Sequence, residues 1–376
     1  MKKKEAGNMT NMFDYLTWRG DLTFPQDPPN PVDALIFSTL AYVFYGDRAK
    51  AEPSQAGTLR DCAAEFFTLD DLENRVRVKK DMDLLRAAAA TARFGQTKLC
   101  LYENEFLPEQ ETQFAAMTFL LGDGTAFVVY RGTDNSLVGW KEDFNMTFQQ
   151  SIPSQQLAQE YIRRVAQTCG RPMRVAGHSK GGNLAVFAAA RCSPQVRARI
   201  LEVYNNDGPG FTKYMMGDPG YLEMVPRIHT FVPQSSVIGM LLEHEEPYQV
   251  LRSSSVGIMQ HDPYSWEVLG ADFVRLEGIT GSSQFMDATI KNWFASMTNQ
   301  ERNQLVEEMY ALLTTGSAEH ATDVFQPKNL LAYAKTLSAD ADMRHLLSEE
   351  FQGLVCAARK AYATMSAKSL PAGKEK

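Results

Sequence analysis

The sequence has little with which to bind a metal or to staple a small fold. It holds six histidines and five cysteines in 376 residues, and it contains neither an HExxH nor a CxxC motif. Catalytic and structural zinc sites are therefore not expected. Cys62, Cys100, Cys169, Cys192 and Cys356 form an odd, scattered set, which fits a reducing cytoplasm better than a disulfide framework. No apolar run reaches the roughly 18 residues of a membrane span, so no stable membrane insertion is expected. The segment EAGNMTNMFDY after Lys2, Lys3 and Lys4 lacks the apolar stretch of a signal peptide. A cytoplasmic location follows as an expectation. There is no dense basic patch, and the net charge of −7 argues against nucleic acid as a partner.

What is present is an ordinary globular composition, 44% hydrophobic and 22% charged. PVDALIFSTLAYVFYG (31–46) reads as a buried helix opened by Pro31, and 55–67 and 81–94 also look helical. The pattern changes near residue 98. KLCLYENEF is a strand candidate, and QFAAMTFLL, Gly122-Asp123-Gly124 and TAFVVYRGT read as a hairpin. A polar loop, DNSLVGWKEDFN, precedes a helix at about 154–168. Strands at 173–177, 200–205, 226–233 and 248–255, with a helix over NLAVFAAARC, complete the rhythm of a mainly parallel sheet covered by helices. From 282 onward four helical candidates follow, and SLPAGKEK should fray. The expected division is a core over 1–285, which includes the N-terminal helical segment, and a helical extension over 286–376.

RVAGHSKGGNLAVFAAA fits G-x-S-x-G as Gly177-His178-Ser179-Lys180-Gly181, with Gly182 following. That spacing suits a serine held on a tight strand-to-helix turn, where side chains at the glycine positions would strike backbone. The following helix start would lie near developing negative charge. An ordinary glycine-rich structural loop is one rival. A phosphate-binding loop is another, but the GxxxxGK[ST] arrangement is missing. A serine nucleophile needs a base. His261, in GIMQHDPYSW after the last strand candidate, is the first choice, with His244 in LLEHEEPY as runner-up. His178 should pack in the turn and His229 in its strand. Asp207, in YNNDGPGF at a strand end, is the candidate acid, against the reading that NNDGPG is only an Asx turn. Asp262 should point away from His261, and Glu243 and Glu245 are weaker options. The backbone N–H groups of Lys180 and Thr133 are the candidate oxyanion donors. Arg131 would brace its loop through Asp134 or Asp143, and Trp140 would pack in core or lid.

YRGTDNSLVGWKEDF and VAGHSKGG together resemble the class 3, fungal-type lipases of the α/β-hydrolase superfamily over roughly 110–280. More closely, the chain resembles a lipase-like bacterial family of unknown function over roughly 10–350. That likeness rests on Arg19-Gly20-Asp21, YRGTD, GHSKGGNLA, YNNDGPGF, VPQSSVIG and QHDPYSW. The resemblance implies an α/β-hydrolase fold and a serine hydrolase acting on a small-molecule ester or lipid-like substrate, with no cofactor. Class 3 lipases place their acid after the strand matched by RIHTFVP. Here VPQSS stands there, with Ser235 near the place, which shifts the acid to Asp207. QHDPYSW is similar to a histidine segment that is not catalytic in those lipases, yet the later His320 and His345 fall in the helical tail. Lys180 replaces a more usual apolar residue and would attract an anionic substrate group or be merely solvated. FTKYMMGDPGYLEM (211–224) would line an acyl pocket or pack as core, and 286–350 would cover the site or support the sheet. A binding protein on the same scaffold is the alternative to an enzyme.

Overall fold

The computed structural model describes residues 10–134, 136–316, 324 and 326–369. The lysine cluster at 2–4, His320 and all but the first residue of SLPAGKEK lie outside them. The strands are β1 (Gly57–Thr58), β2 (Lys98–Leu107), β3 (Thr112–Leu120), β4 (Ala126–Tyr130), β5 (Met173–His178), β6 (Ile200–Asn206), β7 (Ile228–Pro233), β8 (Tyr248–Leu251), β9 (Val268–Leu269), β10 (Asp272–Phe273) and β11 (Arg275–Leu276). Among the described residues nine of them form one sheet in the order β1-β2-β3-β4-β5-β6-β7-β8-β11. Its centre, β4 to β8, is parallel throughout. Antiparallel strands extend both edges. The β3–β4 hairpin turns at Gly124, which takes φ +87, while Asp123 Oδ1 accepts the Thr125 N–H at 2.9 Å.

Alternation along the strands builds two cores, because successive side chains leave opposite faces. Val128, Tyr130, Val175 and Val203 pack against the helices Pro153–Cys169 and Lys180–Arg191. Phe127, Val129, Ala176, Tyr204 and Phe231 face the N-terminal helices instead. There Phe37 meets Phe119 and Phe127 with ring centroids 4.5 and 4.8 Å apart. The fold class is therefore mixed α/β, with a parallel-centred sheet flanked by helices on both faces. Asp33 and Arg93 pair within the N-terminal layer at 2.5 Å, both fully buried. Removing either would leave an uncompensated charge and cost about 3–5 kcal/mol.

Several boundaries differ from expectation. The buried helix spans Pro31–Leu40, not 31–46, because Val43 leaves it to bridge Val76. The helix expected over 81–94 breaks at Thr91, whose hydroxyl caps a second short helix at Phe94 N. The polar loop contains a helix, Leu137–Asn145, capped by Ser136 Oγ on the Gly139 N–H at 3.1 Å. Trp140 on it is 43% exposed and packs in no core. Phe211, Met215, Tyr221 and Met224 belong to the core, which corrects the acyl-pocket reading of 211–224.

The C-terminal helices are Gly281–Ala295, Asn299–Thr314, Pro327–Ala339 and Ala341–Ser369. The first crosses residue 286 and is tied to the sheet edge, since Ser283 Oγ donates to the Ser236 carbonyl at 2.5 Å. The second is tied to Leu137–Asn145, where Lys141 Nζ bonds Glu307 Oε2 at 2.8 Å. Among the described residues no helix is long and apolar enough to cross a membrane.

Candidate active site

One residue, Ser179, joins β5 to the helix Lys180–Arg191. Its backbone takes φ 60 and ψ −132, outside the regions L-residues favour. Such conformations cost about 1–3 kcal/mol and persist only where neighbours fix them. The Ser179 N–H donates to the Asn206 carbonyl at 3.0 Å, and the Gly182 N–H donates to the Ser179 carbonyl at 2.8 Å. The glycines are sterically required. A Cβ on Gly177 would lie 2.0 Å from the Gly181 carbonyl, and one on Gly181 would lie 2.2 Å from the Tyr130 carbonyl.

Asp207 follows the end of β6. It is fully buried and carries a left-handed backbone, φ 54. The local side-chain bond expected of NNDGPG is made by Asn205, whose Oδ1 accepts the Gly208 N–H three residues on at 2.9 Å. The Asp207 carboxylate is thereby left for other partners. Oδ2 meets His261 Nδ1 at 2.7 Å, and Oδ1 accepts the Ser236 hydroxyl at 2.5 Å. Ser236 in turn accepts the Gly239 N–H at 3.0 Å, which fixes its hydroxyl toward Asp207. His261 ends the short turn Gly257–His261, with its side chain 24% exposed. Its Nε2 has no hydrogen-bond partner among the described residues.

His178 lies buried beneath that ring, with centroids 4.6 Å apart. Its Nε2 bonds the His261 carbonyl at 2.9 Å, and its Nδ1 meets the Tyr42 hydroxyl at 3.0 Å. Burial, aided by His261 and Arg77, holds His178 well below the usual imidazole range. The neutral ring therefore donates from Nε2–H and accepts at Nδ1 from Tyr42. The expectation of a packing role misses this contact, which holds the His261 backbone.

Ser179, Lys180, Asp143, Met146, Thr147, Pro209, Ile238, Leu241 and Leu242 line a cleft enclosing about 70 Å³. That is room for roughly two waters at ~30 Å³ each. Ser179 Oγ makes no hydrogen bond among the described residues, and its nearest described link to His261 runs through the neighbouring His178, whose ring lies 4.6 Å from that of His261. Neither the Lys180 nor the Thr133 N–H donates to a described group. The Thr133 hydroxyl donates to Asp143 Oδ2 at 2.6 Å. Burial pushes the Asp143 carboxyl up to about 6, against the pull of Lys180 and the Thr133 hydrogen bond.

The Lys180 side chain is neither solvated nor directed at a substrate. It is fully buried and bonds Glu142 Oε2 and the Gln113 carbonyl, each at 2.7 Å. Arg131 is buried over the Phe44 ring and reaches Asp134 at 3.8 Å. His244 is occupied at both nitrogens, by Glu246 at 3.1 Å and the Gly239 carbonyl at 2.9 Å. His229 stacks on Tyr204, and His345 pairs with Glu349 on an exposed helix. Asp262 turns to Arg77 at 3.8 Å, while the Glu243 backbone pairs with Phe211. Ser235, near the acid's place in class 3 lipases, spends its N–H on Gln260. Sequence reading missed Ser236, Tyr42 and Glu142. Only Ser236 carried a signal, as the neighbour of Ser235 in the VPQSS segment.

Several solved structures are similar in part. The native lipase–propeptide complex of Rhizomucor miehei shares 15% identity over 47% of this chain and 70% of that one, with a TM-score of 0.32. A mutant form of MDLA from Penicillium cyclopium shares 15% identity over 66% and 86%, with a TM-score of 0.39. A deletion mutant of the Rhizomucor complex shares 13% identity over 72% and 95%, with a TM-score of 0.35. No curated protein matches the chain. The Mbeg1-like family model matches residues 88–311, more than half of the chain and the whole of the cleft, so the chain belongs to the Mbeg1-like family, a lipase-like family.

Proposed function

We propose that this chain is a serine hydrolase that cleaves a carboxylic ester through an acyl-enzyme on Ser179. The observation that carries the reading is the Asp207–His261 pair at 2.7 Å, with Nε2 unbonded among the described residues, packed on His178 next to a serine in a strained strand-to-helix turn. In this mechanism Ser179 Oγ attacks the ester carbonyl and His261 Nε2 takes its proton. Asp207 fixes the imidazole tautomer and stabilises the imidazolium. The Lys180 and Thr133 N–H groups receive the oxyanion. His261 then protonates the leaving alkoxide, and water releases the acyl group by the reverse steps. The chemistry calls on no metal or organic cofactor.

The apolar lining by Met146, Ile238, Leu241 and Leu242 suits an acyl group. Labelling wild type and Ser179→Ala with a fluorophosphonate, read by intact mass, tests the proposal. One adduct on wild type and none on the variant is the expected result. An unlabelled, folded wild type would sink it.

One observation favours a second reading, a ligand-binding protein without turnover: the Ser179 hydroxyl is not bonded to His261. Catalytic hydrogen bonds are often long before substrate binds, so the hydrolase reading stands first. Ester turnover that disappears with Ser179→Ala would exclude the binding reading.

A further inference from the structure

Lys180 carries a buried charge that the acyl-transfer steps do not use. Its N–H is a candidate oxyanion donor, but its side chain runs beneath the turn to Glu142 and Gln113. Glu142 Oε1 accepts the Ser154 N–H at 3.0 Å, and Oε2 accepts the Gln113 N–H at 3.3 Å. The next residue on the same helix, Asp143, accepts the hydroxyl of Thr133, which bears the other candidate donor. Gln113 Oε1 joins the two, accepting Lys180 Nζ at 3.2 Å and the Asp134 N–H at 3.4 Å. The helix is seated directly on Thr133, since a Cβ at Gly139 would lie 2.7 Å from Thr133 Cγ2. Two adjacent acidic side chains on one helix thus grip the two segments that carry the donors.

A buried ion pair is a poor source of stability, because an apolar pair of equal volume often does as well. Directional bonds are what an apolar pair cannot supply. We propose that the Lys180–Glu142 pair is a positioning device: it locks the helix Leu137–Asn145 to the Ser179 turn and so fixes the separation of the Lys180 and Thr133 N–H groups. The proposal rests on the serine-hydrolase reading. The Lys180 ammonium touches no reacting atom and acts only through the backbone it anchors.

The test compares wild type with Lys180→Met/Glu142→Gln and with Glu142→Asp, using a p-nitrophenyl ester and a fluorophosphonate. The double variant removes both charges and keeps an acceptor for Ser154. The shortened Asp keeps both charges but moves one. Displacing a donor by about 1 Å costs on the order of 100-fold in kcat. The double variant should therefore lose about 100-fold in kcat and in labelling rate, with KM within threefold of wild type. Glu142→Asp should lose about tenfold in kcat with KM unchanged. Wild-type kcat in either folded variant, or a loss confined to KM, would overturn the positioning role alone. If the double variant does not fold, Glu142→Asp decides. A wild type that is not labelled at Ser179 would overturn this proposal together with the reading beneath it.

Discussion

Two histidines, His261 and His244, are paired with buried carboxylates, and they differ in how the second nitrogen is used. His261 gives Nδ1 to Asp207 and leaves Nε2 without a hydrogen bond among the described residues. His244 meets Glu246 with Nδ1 and the Gly239 carbonyl with Nε2, and its side chain is only 7% exposed. Burial would raise the Glu246 carboxyl, but its hydrogen bonds from His244, Thr230 and Tyr221 outweigh this and hold it below the usual range. Both His244 nitrogens are thus engaged, one by a carboxylate and one by a carbonyl, and neither is left to take a proton from a substrate. The difference teaches that a carboxylate partner does not by itself make a histidine a base. The proposed mechanism also asks for a second nitrogen free to take a proton.

The sharpest way to break this contrast is to remove each imidazole in turn. His261→Ala should lower kcat about 10⁴–10⁶-fold on any ester that the wild type turns over. A loss under tenfold would make His261 a structural residue. Asp207→Asn should cost about 10³–10⁴-fold in kcat by favouring the wrong tautomer, while crystals of the variant show an unmoved ring. His244→Ala reverses the pattern. It should destabilise the fold by about 3–5 kcal/mol in urea melts, yet leave kcat of the folded fraction within threefold. Catalytic loss without destabilisation there would exchange the two roles.

The smallest effect concerns Asp143. Its native carboxyl is raised from 3.8 to about 6, so the folded chain holds this proton more tightly than the unfolded one. The resulting stabilisation, about 3 kcal/mol at most, is full below pH ~4 and disappears as pH rises through 6. Asp143→Asn should flatten that part of the stability–pH curve while the remaining titrations persist. An unchanged curve would show that the group titrates normally.

The central strands were legible as short apolar runs and the hairpin because it carries Asp-Gly, although the strand expected over 248–255 ends at Leu251. The Gly177–Gly182 turn was legible because its glycines have no substitute. The helix Leu137–Asn145 was not. Its Lys141, Glu142 and Asp143 read as part of a polar loop, whereas Lys141 and Glu142 are buried on a helix by partners at 111, 154, 180 and 307. Lys180 misled for the same reason. Charges neutralised by residues distant in sequence have no periodicity to betray them. Ser236 and Tyr42 escaped because a single hydroxyl placed by tertiary folding leaves no pattern.

The Tyr42–His178 hydrogen bond has a consequence for where the working unit begins. The family match starts at residue 88, and Tyr42 lies well before it. A chain trimmed to that boundary would keep Ser179, Asp207 and His261 in its sequence. It would lose the hydroxyl that sets the tautomer of His178, and with it the fixed donor holding the His261 loop. The unit that holds the candidate site together is thus larger than the unit that similarity outlines, and it reaches back at least to the helix Pro31–Leu40 and the residues just after it.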